Sequence, residues 1–200
     1  MSRRSDVLEL AVLGLLLDAP MHGYELRKQL NSLLGTIRAL SYGTLYPTLK
    51  HLVTAGLIRE AAADEGATPP LAGKRARIVY ELTAEGKERF QGLVRSPGPS
   101  AWEDENFGVH FAFFARTDSA SRLEILEGRR SRMQERLDAV RQSAARRRER
   151  LDRYTLELQR HGLESVEREV RWLTEIIDSE RVGNMTHLRD PDKAPPRPDV

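Results

Sequence analysis

The chain contains no cysteine in its 200 residues, which excludes disulfide frameworks, thiolate zinc sites and cysteine nucleophiles. Aromatic residues make up only 6% of it, and no apolar run approaches the length a bilayer demands. An excess of one charge is missing too: 32 basic residues against 30 acidic ones leave +2, so any case for a polyanion partner must come from where the charges lie. The five histidines, His22, His51, His110, His161 and His187, lack metal-ligand spacing. No glycine loop suited to cradling phosphate occurs, and no nucleophile has an evident base. The chain is therefore expected to be no enzyme, with no cofactor and no metal. What is present, 40% hydrophobic and 31% charged residues, suits a helix-rich globular chain with a modest core.

Arg3 and Arg4 ahead of the apolar run Val7 to Leu17 imitate a targeting signal. Glu9 and Asp18 interrupt or bound that run, and no small-residue cleavage site follows. It reads instead as a buried helix capped by Ser5 or Asp6, in a cytoplasmic protein with no membrane partner. Pro20 closes it. A second helix is predicted from about His22 to Leu34 on the stripe Leu26, Leu30, Leu33 and Leu34, ended by Gly35.

The stretch Ser41 to Ile58 organises the rest. Leu45, Leu49, Leu52 and Val53 recur at helical spacing, which turns Tyr42, Thr44, Tyr46, Thr48, Lys50, His51 and Thr54 outward. Hydrogen-bonding and apolar-contact groups with a cation one turn later match what a DNA major groove accepts, whereas an ordinary core helix would show the same inner stripe. Pro47 leaves two options: the helix starts later than Ser41, or it loses one backbone bond. Gly56 can close the helix in the left-handed conformation before an apolar strand begins.

Beyond Leu57 the ends of LIREAAADEGATPPLAGKRARIVYELT are strand-like, and the middle holds Gly66, Pro69, Pro70 and Gly73 followed by Lys74, Arg75 and Arg77. Two strands joined by such a loop form a β-wing whose cations would meet phosphate. The plainer alternative is a solvated hairpin with charge for solubility. Thr83 then caps a helix from Ala84 to about Val94, terminated by the SPGPS segment from Ser96 to Ser100.

HGYEL (His22 to Leu26), GTLYPTLKHLVTAGLI (Gly43 to Ile58) and YELTAEGKERF (Tyr80 to Phe90), in this order and spacing, resemble the PadR family of bacterial transcriptional regulators over about the first 95 residues. The resemblance implies a dimeric winged helix-turn-helix repressor with its third helix in the major groove and its wing along the backbone. By position it makes Tyr42, Thr44, Tyr46 and Lys50 groove-side candidates, with His51 on the same outward face, and Lys74, Arg75 and Arg77 wing candidates. Tyr24 lies in the first motif, where packing between helices and DNA contact are both open.

Trp102 to Arg116 carries Phe107, Val109, Phe111, Phe113 and Phe114 in a pattern that fits helix or strand; the resemblance favours a short helix. These aromatics are either core or, with Trp102, Phe107, His110 and Phe111, the lining of an effector pocket. Glu103, Asp104 and Glu105 suit a helix N-terminus. From Asp118 to about His161 a coiled-coil pattern runs through Leu123, Leu126, Met133, Leu137, Val140, Ala144, Leu151, Tyr154 and Leu158, with Arg130 and Arg147 breaking the seam. Such a helix would reach on the order of 60 Å, with a break at Gly162 and a second helix from about Glu164 to Arg181. Glu149, Asp152 and Glu157 lie among Arg146, Arg147, Arg148, Arg150 and Arg153, as on a salt-bridged helix face; the alternative is a site for an anionic effector or phosphate.

The expected fold is mainly α: an N-terminal winged helix-turn-helix with a two-stranded β-wing, plus a C-terminal long-helix, coiled-coil-like dimerisation domain. The expected boundaries are 1–95 for DNA binding, 96–118 for a linker and short aromatic-rich helix, 119–182 for dimerisation and 183–200 for a disordered tail. The expected function is a sequence-specific regulator, a repressor acting as a homodimer on a pseudo-palindromic operator in double-stranded DNA, with release by a small-molecule effector left open. The rival is a winged-helix protein-interaction adaptor without DNA binding.

Overall fold

The computed structural model describes residues 3–34, 42–62, 78–147 and 152–189. They fall into two compact units, Met1–Asp118 and Ser119–Val200.

The first unit is built around helix α1, Arg3–Leu16. Ser5 and Asp6 lie inside its first turn and not ahead of it, which corrects the expected cap; Asp6 there still faces the positive end of the helix dipole. Leu8, Leu10, Ala11, Val12, Leu13 and Leu16 are all buried, so the helix is apolar on most of its circumference and sits inside the unit. Glu9 is buried too, and its carboxylate accepts a 2.6 Å hydrogen bond from Arg89 Nε. Leu26 and Leu30 of α2 (Gly23–Leu34) and Leu45, Leu49 and Leu52 of α3 (Tyr42–Thr54) complete one wall of the core.

Three short strands make an antiparallel sheet in the order β1-β3-β2: β1 is Met21–His22, β2 Ile58–Ala62 and β3 Ile78–Leu82. The sequence pattern shows two of them. The third is two residues long, too short to display any alternation. In register, Arg59 opposes Glu81 and their side chains pair, while Tyr80, opposite both Met21 and Glu60, turns into the core. The loop at 63–77, with Lys74, Arg75 and Arg77, lies outside the described residues, as does the turn at 35–41.

Helix α4, Ala84–Arg95, follows, and then a 3-10 turn, Pro99–Trp102, leads into α5, Asp104–Ala112, and a further 3-10 turn, Phe114–Arg116. The aromatic segment is thus helical. It is no free linker, because Val109 and Phe113 belong to the core of the first unit. Phe113 meets Phe90 edge to face, with centroids 5.5 Å apart, and occupies the space that a side chain at Gly14 would need: a Cβ there would sit 2.3 Å from the Phe113 ring.

The second unit is a hairpin of two long helices, α6, Ser119–Arg147, and α7, Arg153–Arg189. At 1.5 Å per residue they span about 43 Å and about 55 Å. The break falls before Arg153, and Gly162, where it was expected, lies within α7. One glycine costs a helix only about 1 kcal/mol, whereas Asp152 offers a strong start: its Oδ1 accepts from the Tyr154 and Thr155 amides at 2.9 and 3.1 Å. Tyr154 and Leu158 accordingly leave the expected seam and stand exposed on α7. The buried seam consists of Ile125, Leu126, Met133 and Leu137 against Val166, Leu173 and Ile177. Helix α7 also continues past residue 182, where a tail was expected, to Arg189; the chain reaches no proline until Pro191, and the residue before a proline resists the helical conformation. Ion pairs Arg122–Glu180, Arg129–Glu169, Arg141–Glu167 and Arg181–Glu127 tie the two helices along their length.

Candidate nucleic-acid interface

Helix α3 starts at Tyr42 and runs through Pro47, so of the two options the lost backbone bond is the one realised. Pro47 is exposed, which keeps its ring out of the core. Leu45, Leu49 and Leu52 are fully buried; on the opposite side Pro47, Lys50, His51 and Thr54 are exposed and share one face by helical spacing. Thr54 Oγ1 donates to the Lys50 carbonyl at 2.9 Å, turning that hydroxyl back on its own helix, which leaves Lys50 and His51 as the principal polar groups of the face among the described side chains. Tyr46 and Thr48 flank it half-buried. Tyr46 packs against the core, and a Cβ at Gly23 would lie 3.4 Å from its hydroxyl, so its ring is partly structural. For Tyr42 and Thr44 the backbone belongs to α3, but their side chains lie outside the described ones.

The far end of α3 is locked. Gly56 adopts φ +71, the Gly56 amide donates to Val53 O at 3.0 Å and the Leu57 amide to Leu52 O at 2.9 Å, which together form a Schellman closure. Thr83 fastens this closure to α4. Its amide donates to Leu57 O at 3.2 Å, its hydroxyl lies 2.7 Å from Gly56 O and 2.9 Å from Leu57 O, and the same oxygen accepts from the Gly86 amide at 3.0 Å as the N-cap. Gly86 is required for this approach, since a Cβ there would fall 2.0 Å from Leu57 O. The sequence LTAEG thus sets the angle at which the α3 face leaves the domain.

Tyr24, in the first turn of α2, is 60% exposed and does not pack between helices, although Leu26 beside it is fully buried. Lys28, one turn along, is exposed on the same side. The pair falls off the Leu26 and Leu30 stripe at helical spacing, a signal present in the sequence that the motif alone obscured.

The candidate effector residues lie in and just before α5. Phe107 is buried and meets Phe111 at 5.7 Å, and Phe111 meets Phe114 at 4.8 Å; Trp102, His110 and Phe111 are half-buried. Burial lowers the His110 pKa from 6.5 to about 4, which keeps its imidazole neutral at physiological pH. A cavity of about 480 Å³ lies in the second unit, an open groove with polar walls at Glu127, Arg130, Gln134 and Asp138 and an apolar patch at Val170. Among the described residues no group of three or more His, Asp or Glu could hold a metal ion, and no helix is long and apolar enough to cross a membrane.

A family model described as the transcriptional regulator PadR-like family matches residues 12–92. The negative transcriptional regulator PadR of Bacillus subtilis (strain 168) is 31% identical over 101 residues, 50% of this chain and 52% of that protein; the match thus spans about half the length of this curated relative. Among solved structures, Bacillus subtilis PadR in complex with operator DNA is 22% identical with a TM-score of 0.40, covering 87% of this chain and 99% of that one. A PadR-like transcriptional regulator from Bacillus cereus is 18% identical with a TM-score of 0.38, covering 88% and 99%.

Proposed function

We propose that this chain, which through residues 12–92 belongs to the PadR-like family of transcriptional regulators, represses transcription by binding duplex DNA as a homodimer. The observation that carries the reading is the exposed face of α3, where Lys50 and His51 stand on a helix whose inner side is fully buried and whose end is locked through Gly56 and Thr83. A rigid polar helix face is what base-edge reading requires; an adaptor would need no such constraint on its exit angle. Repression is the activity named for the Bacillus subtilis relative and is carried over here as part of the proposal.

In this reading α3 enters the major groove, Lys50 and His51 meet base edges or flanking phosphates, and Tyr42, Thr44 and Tyr46 contribute from the earlier turns. Lys74, Arg75 and Arg77 of the wing neutralise backbone phosphates. The hairpin supplies the second copy. Tyr154 at 85% exposed and Leu158 at 71% are apolar groups that their own chain leaves uncovered on α7, as a helix awaiting a partner would. Two copies would present their α3 helices about 34 Å apart to successive grooves of a pseudo-palindrome. Release by a small-molecule effector would involve Trp102, Phe107, His110 and Phe111, of which Phe107 is buried against Phe111 and Trp102 and His110 are half-buried.

The test is a gel-shift titration of the purified chain, at several salt concentrations, on the DNA upstream of its own gene, with footprinting of any bound segment. Binding that weakens steeply with salt and protects two half-sites is expected, as is loss of affinity in Lys50→Ala. An absence of salt-dependent binding to any duplex would favour the adaptor.

A further inference from the structure

Resting on that reading of α3, we infer that the ion pair of Glu9 and Arg89 is a positioning device: it fixes how α4 is turned about its own axis and, through Thr83, the direction in which α3 leaves the domain. The pair thus governs how well DNA sequences are told apart without touching DNA. Glu9 lies in the middle of α1 and is only 3% exposed, between Leu8 and Leu10, which are buried with it. A leucine at that position would pack as its neighbours do. A carboxylate must instead be stripped of water, and a buried ion pair recovers little beyond that cost, so stability is a poor account of its presence. What it adds to an apolar contact is direction, since Arg89 Nε must meet Glu9 Oε1, at 2.6 Å, from one side.

The apolar side of α4 supplies no such direction. Gly86, Phe90 and Val94 are its buried stripe, and non-directional contacts of this kind resist separation more than rotation. At its Gly86 end the stripe has no side chain to key the helix in place. Thr83, the N-cap, stands six residues or about 9 Å before Arg89. Helix α4 is therefore a strut with two polar fastenings: the Glu9 carboxylate of α1 at Arg89 and, at Thr83, the Gly56 and Leu57 carbonyls that close α3. Turning the strut by about 20° carries a group about 5 Å from its axis through about 1.7 Å. Hydrogen bonds of 2.7 and 2.9 Å do not withstand that displacement. With the pair in place, the end of α3 is referred to the buried centre of the domain.

The full-length chain makes the test, with a duplex of about 30 bp that the wild type selects from a random library and a scrambled duplex beside it. Replacing both partners, Glu9→Leu with Arg89→Met, leaves no unpaired charge in the core, so melting at or above the wild-type temperature is expected. Its preference for the selected over the scrambled duplex should nevertheless fall about tenfold, roughly the effect of one mismatched base pair, with affinity for the scrambled duplex unchanged. Amide exchange at Leu57, Thr83 and Gly86, which donate to Leu52 O, Leu57 O and Thr83 Oγ1, should quicken at temperatures where the variant is fully folded. Arg89→Lys keeps the cation on a half-exposed side chain and loses the planar fork; it should melt with the wild type and lose part of the preference. If the double variant melts below the wild type, Arg89→Lys decides alone. Wild-type preference and exchange in the variants would reduce the pair to ordinary packing and overturn the inference, as would equal losses on both duplexes. If the wild type selects no duplex, the DNA-binding reading falls, and exchange at the three amides still decides whether the pair positions α3.

Discussion

Two glycines in α4 should respond in opposite directions to the same substitution. A Cβ at Gly86 would lie 2.0 Å from the Leu57 carbonyl oxygen, 2.7 Å from Leu82 Cδ1 and 3.0 Å from the Leu57 carbonyl carbon. Two of those neighbours are backbone, so relief demands a shift of roughly 1 Å at the junction that Thr83 holds together. Overpacking of this kind costs about 1–3 kcal/mol, and loosening the Thr83 cap adds about 1 kcal/mol. The better helix propensity of alanine returns about 1 kcal/mol, leaving Gly86→Ala destabilised by about 2 kcal/mol, or roughly 8 °C in Tm for a unit of this size. Gly92, in the same helix, is exposed and has nothing within 4 Å of a built Cβ; Gly92→Ala should stabilise by about 0.5–1 kcal/mol. Thermal melts and urea titrations of both variants, followed by circular dichroism, measure the contrast. A Gly86→Ala protein as stable as the wild type, or a Gly92→Ala protein that loses stability, would refute the packing argument. Because Leu57 directly follows the Gly56 closure, Gly86→Ala should also weaken DNA binding at temperatures where it remains folded.

His110 introduces a pH dependence. Its folded pKa, lowered to about 4 by burial, lies below the ordinary 6.5, so the unfolded chain takes up the proton first. Its contribution is complete above about pH 6.5 and falls by about 1.4 kcal/mol per pH unit toward pH 4; His110→Leu should flatten that stretch of a urea-midpoint curve, and an unchanged slope would count against the buried imidazole. Hydrogen bonds from Thr155, first its side chain and then its backbone, hold the Asp152 carboxyl below the usual range, so its cap is intact above the unfolded value and is lost as pH falls through the lowered one. Asp152→Ala should therefore raise hydrogen exchange at the first amides of α7 at neutral pH, and unchanged protection there would show that the cap is idle. Leu173→Ala removes a fully buried side chain from the hairpin seam and should cost about 2–5 kcal/mol in the second unit; if the proposed homodimer is held through this hairpin, sedimentation at low concentration should then show monomers, and an unchanged assembly state would overturn that role.

Much of the first unit can be read from side-chain periodicity, because α2 and α3 each bury a single stripe. Leu45, Leu49 and Leu52 identify the inner side of α3, and Gly56 and Thr83 mark its closure and the next cap. Met21–His22 escaped because two residues hold no period. Tyr46 is half-buried for another reason: outward spacing does not reveal that Gly23 leaves room for the ring to lean on the core. In the second unit the heptad pattern resumes after Arg147 with Leu151, Tyr154 and Leu158, which makes Gly162 look like its natural end. The reversal occurs earlier because a capping carboxylate at Asp152 starts a helix more effectively than one glycine stops it. No pairing pattern along a single helix could have shown that Tyr154 and Leu158 would face away from α6.

The buried guanidinium of Arg129, held by Glu169 at 2.7 Å, gives the hairpin only one comfortable alignment. Sliding α7 along α6 by a turn, about 5.4 Å, would part that cation from the Glu169 carboxylate and the outer pairs with it. The two helices consequently behave like a key seated in its ward: within the hairpin, one helix resists sliding past the other by a turn.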